Sequence, residues 1–521
     1  MNDIVNLSAT QIAQEIKAGK VSAREVVDAH IGRIEAVNPR INAVVIPLFE
    51  EARKGAEAAD AAQKRGDALG ALHGVPITIK EQFLVKWTAT TLGLPSQKDH
   101  RAEDDGPLVK RLREAGAIIL GKTNVSQMLL YIESDNPVYG RTNNPWNLDR
   151  SCGGSSGGEA AIIAAGGSPL GLGGDFGGSI REPAHFCGIQ GLKPTSLRLT
   201  NFDTRSDLLP RGQEVVLPQP GPMARKVADL ALAMEVLAAP GQDRFDPSIP
   251  PVPWRNPADV KIKSLRVAVY EDDGYFKAAP AIRRVVREAV DALRAMGVQV
   301  VEWTPPAVGD AIRLFFSVFT SDDSAALRHA LRNDEPMPQL AGIIRSTQMP
   351  GFMKKLLTNR LRSSGQERLL RVFESIGIRS AEGFWKLVVE RNQYRLRFMR
   401  ELEAGGFDAI ICPPTSLPAV LHGSTSDLLD FDSYARLFNV LGMPAGVVAA
   451  GMVRAGEESD RQPSKDNVEQ AALRVETGSA GLPVGVQVAA PYWREDVALA
   501  VMGALENHFE SQADYPARPP L

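Results

Sequence analysis

At 521 residues, 44% of them hydrophobic, the chain can bury a large core, and its formal net charge of −3 gives no global pull toward nucleic acid. Three cysteines, Cys152, Cys187 and Cys412, lie too far apart for a disulfide framework or a CxxC metal site, so no metal and no cofactor are expected, and a reducing cytoplasm suits them. The N-terminus lacks the basic region and apolar stretch of a secretory signal, and no run of about 20 apolar residues offers a membrane span.

Leu7-Ser8-Ala9-Thr10-Gln11-Ile12 and Val21-Ser22-Ala23-Arg24-Glu25-Val26 each combine a capping box with a hydrophobic staple, and they predict two successive helices. Val75-Pro76-Ile77-Thr78-Ile79 reads as a buried strand that carries Lys80 inward at its end. A lysine in water titrates near about 10.4, so burial there would favour the neutral, basic amine; a solvated surface lysine is the ordinary alternative. Ala117–Leu120 reads as a further strand. Gly116 to Thr123 satisfies the P-loop expression G-x-x-x-x-G-K-[ST], but a β-branched strand cannot curl its N–H groups around a phosphate.

Two Ser/Gly-rich blocks follow. Gly153-Gly154-Ser155-Ser156-Gly157-Gly158 runs directly into the apolar stretch Glu159–Ala165, and Gly177-Gly178-Ser179 follows Pro169–Gly174 and leads into Ile180-Arg181-Glu182-Pro183. Such composition is common in flexible linkers, yet linkers seldom abut core, and glycines let backbone N–H groups approach a reacting atom closely. The first block also contains G-x-S-x-G, the nucleophile elbow of α/β-hydrolases, which needs an acid and then a histidine downstream; His185, His329, His422 and His508 stand in no telling context.

Strands at Val267–Val269 and Ala409–Cys412 alternate with helices at Ala281–Ala295 and Val497–Phe509, which argues for an α/β class with a mixed sheet covered by helices, in a single domain over 1–521. Residues 310–400 depart from that rhythm. Rich in Leu and Phe and helical in pattern, they read as a helical insertion that shapes a substrate entrance. Within it, 345–371 carries Arg345, Lys354, Lys355, Arg360, Arg362, Arg368 and Arg371 against the single acid Glu367, interleaved with Phe352, Met353, Leu356, Leu357 and Leu361. A basic amphipathic helix lies on anionic lipid; a solvated helix packing its leucines on the core is the competing reading.

Gly74–Lys80, Gly121–Asn124, the two serine blocks, Gly166–Gly173, Phe186–Thr195 and Gly481–Gln487 together resemble the amidase signature family of serine hydrolases, across about 70 to 490, with the core signature in 70–200. Lys80-Glu81, Arg379–Glu382, Tyr394-Arg395 and Met443–Val448 are similar to its fatty acid amide hydrolase branch. The resemblance implies an α/β amidase signature fold, a central twisted mixed sheet with helices on both faces. It implies cleavage of an amide C–N bond through an acyl-enzyme, with Ser179 as nucleophile, Lys80 as base and Ser155, on a cis peptide bond, as the relay that hands the proton to the leaving nitrogen. Phe176, Gly177, Gly178 and Ser179 would supply the N–H groups of the oxyanion hole, and Asp175 and Arg181 would brace their loop. Met128, Leu129 and Leu130 would line an acyl pocket, although by themselves they read equally well as core.

The expected function is a stand-alone amidase acting on a small lipophilic amide, fatty acyl or aryl, with short or aryl amides, esters and carbamates as alternatives. An amidotransferase A-type subunit working with partners on charged tRNA is a second reading, against which stand the 310–400 segment and the branch-like C-terminal half. A silent scaffold is the third, and Lys80, Ser155 and Ser179 argue against it. The expected setting is cytoplasmic, without a nucleic-acid partner; peripheral membrane contact through 345–371 and a homodimer are left open.

Overall fold

The computed structural model describes residues 4–205, 208 and 213–521. Both capping boxes form: Ser8 and Ser22 open the helices Ala9–Lys17 and Ala23–Ile41, each accepting the amide of Gln11 or Glu25, whose side chain returns to the serine N–H.

Among the described residues the strands are β1 (Val44–Pro47), β2 (Pro76–Lys80), β3 (Ile118–Thr123), β4 (Leu170–Asp175), β5 (Gln190–Lys193), β6 (Gln219–Ala224), β7 (Arg266–Val269), β8 (Gln299–Glu302), β9 (Ala409–Cys412), β10 (Ala445–Met452) and β11 (Pro483–Ala489). They join in one sheet in the order β1-β3-β2-β4-β6-β5-β10-β11-β9-β7-β8. The sheet is mixed. β2 runs parallel to both β3 and β4, and β7 parallel to β8 and β9, while the central strands β6, β5, β10 and β11 pair antiparallel. The helices Pro280–Ala295 and Glu495–Phe509 take the two expected positions.

The parallel β3-β2-β4 unit places the chemistry. Its strands end side by side, with Lys80 the last residue of β2 and Asp175 the last of β4, so both glycine-rich turns emerge at one edge, the carboxyl edge where parallel sheets hold ligands. The helix Gly157–Ala164 lies against this unit and every one of its residues is buried, as expected for a helix that is apolar but for Glu159. β3 runs straight through Lys122 and Thr123, and the buried Lys122 amine donates to Ala89 O and Thr90 Oγ1, so the P-loop expression is a strand with no phosphate cradle.

Between residues 308 and 405 the chain forms six helices, Val308–Phe319, Ala325–Leu331, Pro338–Thr347, Gly351–Ser363, Glu367–Ser375 and Ala381–Gly405. The basic stretch 345–371 is thus divided among three helices rather than carried on one. Pro350 cannot continue the helix before it, and Gly365, at φ +73°, turns the chain after Ser363. Its apolar residues divide as well: Leu361 is 7% exposed, whereas Phe352 and Leu356 are 76% and 69% exposed. No helix among the described residues is long and apolar enough to cross a membrane.

Candidate active site

Lys80 is fully buried at the end of β2. Its Nζ lies 2.8 Å from Ser155 Oγ and donates to Gly174 O at 3.1 Å. Among the described residues no carboxylate forms an ion pair with it. Burial therefore dominates and lowers the amine to about 7, with the more distant charges of Asp175 and Glu159 opposing the shift. At that value a substantial fraction of Lys80 is neutral near pH 7, and the neutral Nζ accepts a hydrogen bond from the Ser155 hydroxyl.

Ser155 stands on a cis Gly154–Ser155 peptide bond. The turn is packed from both sides. Ser134 Oγ donates to Gly153 O at 3.1 Å and accepts from Gly157 N at 2.9 Å, and Ser156 Oγ donates to Gly174 O at 3.2 Å. Gly153 has φ +83°, and a Cβ there would come within 2.8 Å of Pro183 Cα, so only glycine lets the first block lie against the helix that follows the second. The two blocks also bond directly, Ser156 N donating to Ser179 O at 3.2 Å.

Asp175 organises the second block. Its carboxylate accepts Gly178 N at 2.8 Å, Ile180 N at 3.2 Å, Asn439 Nδ2 at 2.8 Å, and Nε and Nη2 of Arg181 at 2.9 and 3.0 Å. Burial alone would raise this carboxyl; the Arg181 charge and hydrogen bonds, with Lys193 and Asn439, more than offset it and hold it well below the usual carboxylate range. Arg181 gives its remaining N–H groups to Ala435 O, Gln487 Oε1 and Asn439 Oδ1. The Gly178 N–H is thus spent inward on Asp175. The N–H groups of Phe176, Gly177 and Ser179 donate to no acceptor among the described residues, and Ser179 itself is half-buried.

Met128, Leu129 and Leu130 do not join this cluster. Met128 is fully buried, and the three pack with Leu92, Leu327, Leu331 and Leu340, on a wall that reaches the serine turn through Tyr131 and Glu133. Sequence reasoning passed over Glu159, which is buried beneath Lys80 and takes hydrogen bonds from Thr78 and Thr123; burial raises its carboxyl to about 7 against those bonds and the Lys80 charge. Thr78 in the middle of β2 and Thr123 at the end of β3, polar residues in two buried strands, are the available signal. Phe315 and Arg436, which flank Gly177, also went unread, because they come from distant helices. His185 has both ring nitrogens engaged by backbone groups and is pushed down to about 4 by burial, and all three cysteines are buried and free.

The amidase family model matches residues 25–499. Fatty-acid amide hydrolase 1 of Sus scrofa is 34% identical over 512 residues, covering 97% of this chain and 86% of that protein. Indoleacetamide hydrolase of Bradyrhizobium diazoefficiens is 32% identical over 510 residues, covering 96% and 86%. Among solved structures, a fatty acid amide hydrolase superposes with a TM-score of 0.83 at 29% identity, covering 97% of this chain and 85% of the other.

A reaction that draws on Lys80 as its base requires the uncharged amine, whose fraction grows as pH rises through about 7. We expect kcat/KM for amide hydrolysis to climb about tenfold per pH unit below that value and to cease climbing once the pH has passed it. A pH–rate profile measured where chemistry limits the rate checks this; a profile flat from pH 5 to 8 contradicts it.

Proposed function

The chain belongs to the amidase family of amide-hydrolysing enzymes, and from that premise we propose that it cleaves lipophilic amides through Ser179, Ser155 and Lys80. The observation that carries this reading is a fully buried lysine without an ion-pair partner among the described residues, 2.8 Å from Ser155 Oγ. Neutral Lys80 accepts the Ser155 proton as Ser155 takes the proton of Ser179, and Ser179 Oγ bonds to the amide carbon. The carbonyl π electrons move onto oxygen, where the N–H groups of Phe176, Gly177 and Ser179 donate to the oxyanion; the Gly178 N–H, committed to Asp175, shapes the loop instead. Collapse breaks the C–N bond while the proton returns from Lys80 through Ser155 to the departing nitrogen, leaving an acyl-Ser179. Water gives a proton to the same relay as it bonds to the acyl carbon; the bond from that carbon to Ser179 Oγ then breaks, the proton returns through Ser155 to Ser179 Oγ, and the acid leaves.

An aromatic wall beside the loop supports a lipophilic acyl or aryl group. The Phe176 ring lies 5.3 Å from Phe315 and 6.0 Å from Phe319, centroid to centroid, and the Arg436 guanidinium caps Phe315 and Phe316 at 5.0 and 4.7 Å. Apolar walls with few polar groups suit such substrates. The two relatives named for fatty-acid amide and indoleacetamide hydrolysis favour the same class.

Peripheral membrane contact belongs to the same reading. Phe352, Met353 and Leu356 stand exposed on the helix Gly351–Ser363 beside Lys355 and Arg360, an apolar ridge among cations that suits anionic lipid.

Two measurements test these readings. Across a panel from acetamide and benzamide to long-chain acylamides, turnover should rise with acyl length and fall by about 10⁴-fold or more in Ser179→Ala; activity confined to acetamide contradicts the lipophilic pocket, and activity surviving in the variant contradicts the nucleophile. In liposome flotation the protein should rise with vesicles containing anionic lipid and should not when Phe352→Asp and Leu356→Asp are combined; absence of binding to either vesicle type contradicts membrane contact.

A further inference from the structure

Directly behind the nucleophile loop lies a buried cluster that the mechanism above does not use: Glu182, Asp430 and Asp432 around Arg436. Glu182 follows Arg181 in the chain, and its amide donates to Gly178 O at 2.8 Å. Its side chain folds back so tightly that a Cβ on Gly178, which has φ +122°, would lie 2.0 Å from Glu182 Oε1. The carboxyl therefore rests on the Cα of the residue between Gly177 and Ser179. Arg436 Nη2 is 2.7 Å from Asp432 Oδ2, outside hydrogen-bonding alignment, and its Nη1 is 3.8 Å from Asp430 Oδ1. Asp430 also accepts the Tyr275 hydroxyl at 2.6 Å.

Neither oxygen of Glu182 accepts a hydrogen bond among the described residues, although the side chain is buried, whereas Asp432 keeps the 2.7 Å ion pair with Arg436. An ionised carboxylate offers about four acceptor sites, and burying one without donors is far costlier than burying the neutral acid. Arg436 is the one cation within ion-pair distance of these acids among the described residues, Arg181 being paired with Asp175, Arg368 with Glu469 and Arg371 with Glu367, so three acids leave surplus negative charge unless protons are retained.

We infer that Glu182 is a positioning residue for the oxyanion loop, held uncharged so that it packs against Gly178 without setting a negative charge behind the oxygen that becomes an oxyanion. The groups that face it agree. Burial is the main cause raising Glu182 well above the ordinary carboxyl range; Asp432 and Asp175 add to the rise, and Arg436 and Arg181 oppose it. Asp432 is itself raised by burial, to about 6, with Asp430 adding to the rise and Arg436 opposing it. Ionisation of Glu182 at alkaline pH places like charge beside the developing oxyanion and repels the loop, so turnover falls. With Lys80 setting the acid limb, the profile becomes a bell.

This inference rests on the proposed roles of Lys80 and Ser179, and the acid limb reports Lys80 independently, so the two readings fail separately. The test is the pH dependence of kcat and kcat/KM for the wild type, Glu182→Gln and Asp432→Asn, over a range in which circular dichroism is unchanged. The wild type should fall about tenfold per pH unit beyond its alkaline pKa. Glu182→Gln, which keeps the shape and cannot ionise, should lose that limb in both parameters while keeping the acid one. Asp432→Asn removes a neighbour that holds the proton on Glu182 and should move the alkaline limb to lower pH. A wild type with an acid limb and no alkaline one, or a Glu182→Gln enzyme with the alkaline limb unmoved, overturns the inference.

Discussion

The site depends on one unfavourable burial, that of the Lys80 amine without a carboxylate in contact. An ion pair there would hold the proton and, on the proposed mechanism, disable the base, so the surrounding structure must supply polar contacts without charge. It does so with Ser155 Oγ and Gly174 O. The nearby acid Glu159 is bound by Thr78 and Thr123. The parallel pairing of β2 with β3 and β4 makes this possible, because it buries both faces of the strand and delivers its last residue to the same edge as the last residue of β4.

A second constraint works by the opposite logic. Arg181 and Asp175 are both 0% exposed, and the arginine places all five N–H groups, two on Asp175 and one each on Ala435, Asn439 and Gln487. A buried pair so completely hydrogen-bonded confers geometry more than stability, and removing either partner would strand a charge in the core. It also explains why the motif near the C-terminal end matters to a loop three hundred residues earlier: Gln487 lies in β11 and Asn439 in the helix Ser433–Leu441, and both fasten the turn that carries Ser179. The loop 176–179 is thereby clamped by Asp175 from inside and by Arg181 through the C-terminal half.

Much of this was legible in the sequence where local pattern and chemistry coincide. The β-branched run ending in Lys80 predicted a buried strand, the glycine blocks predicted close backbone approach, and the serine capping boxes predicted two helices; each follows from short-range physics. The roles of Ser155, Ser179 and Asp175 came from the family resemblance rather than from residue pattern. What stayed hidden is long-range or geometric. Nothing in Asp175 to Ser179 shows that the carboxylate takes the Gly178 amide and leaves three donors facing outward, since that depends on the turn. Phe315 and Arg436 meet Gly177 from helices far along the chain. In 345–371 the pattern of basic charge suggests one helix, whereas Pro350 and Gly365 act as breakers and divide it among three.

The central claim is that the relay beginning at Lys80 ends at Ser179. The most direct measurement is mass-spectrometric mapping of the adduct left by a fluorophosphonate after brief labelling and proteolysis. The account predicts a single phosphonylated site at Ser179, with Ser155 and Ser156 unmodified, because of these three serines it is Ser179 that combines a half-buried side chain with adjacent unpaired N–H donors. An adduct on Ser155 or Ser156 would contradict it and make the first glycine block, rather than the second, the seat of the nucleophile.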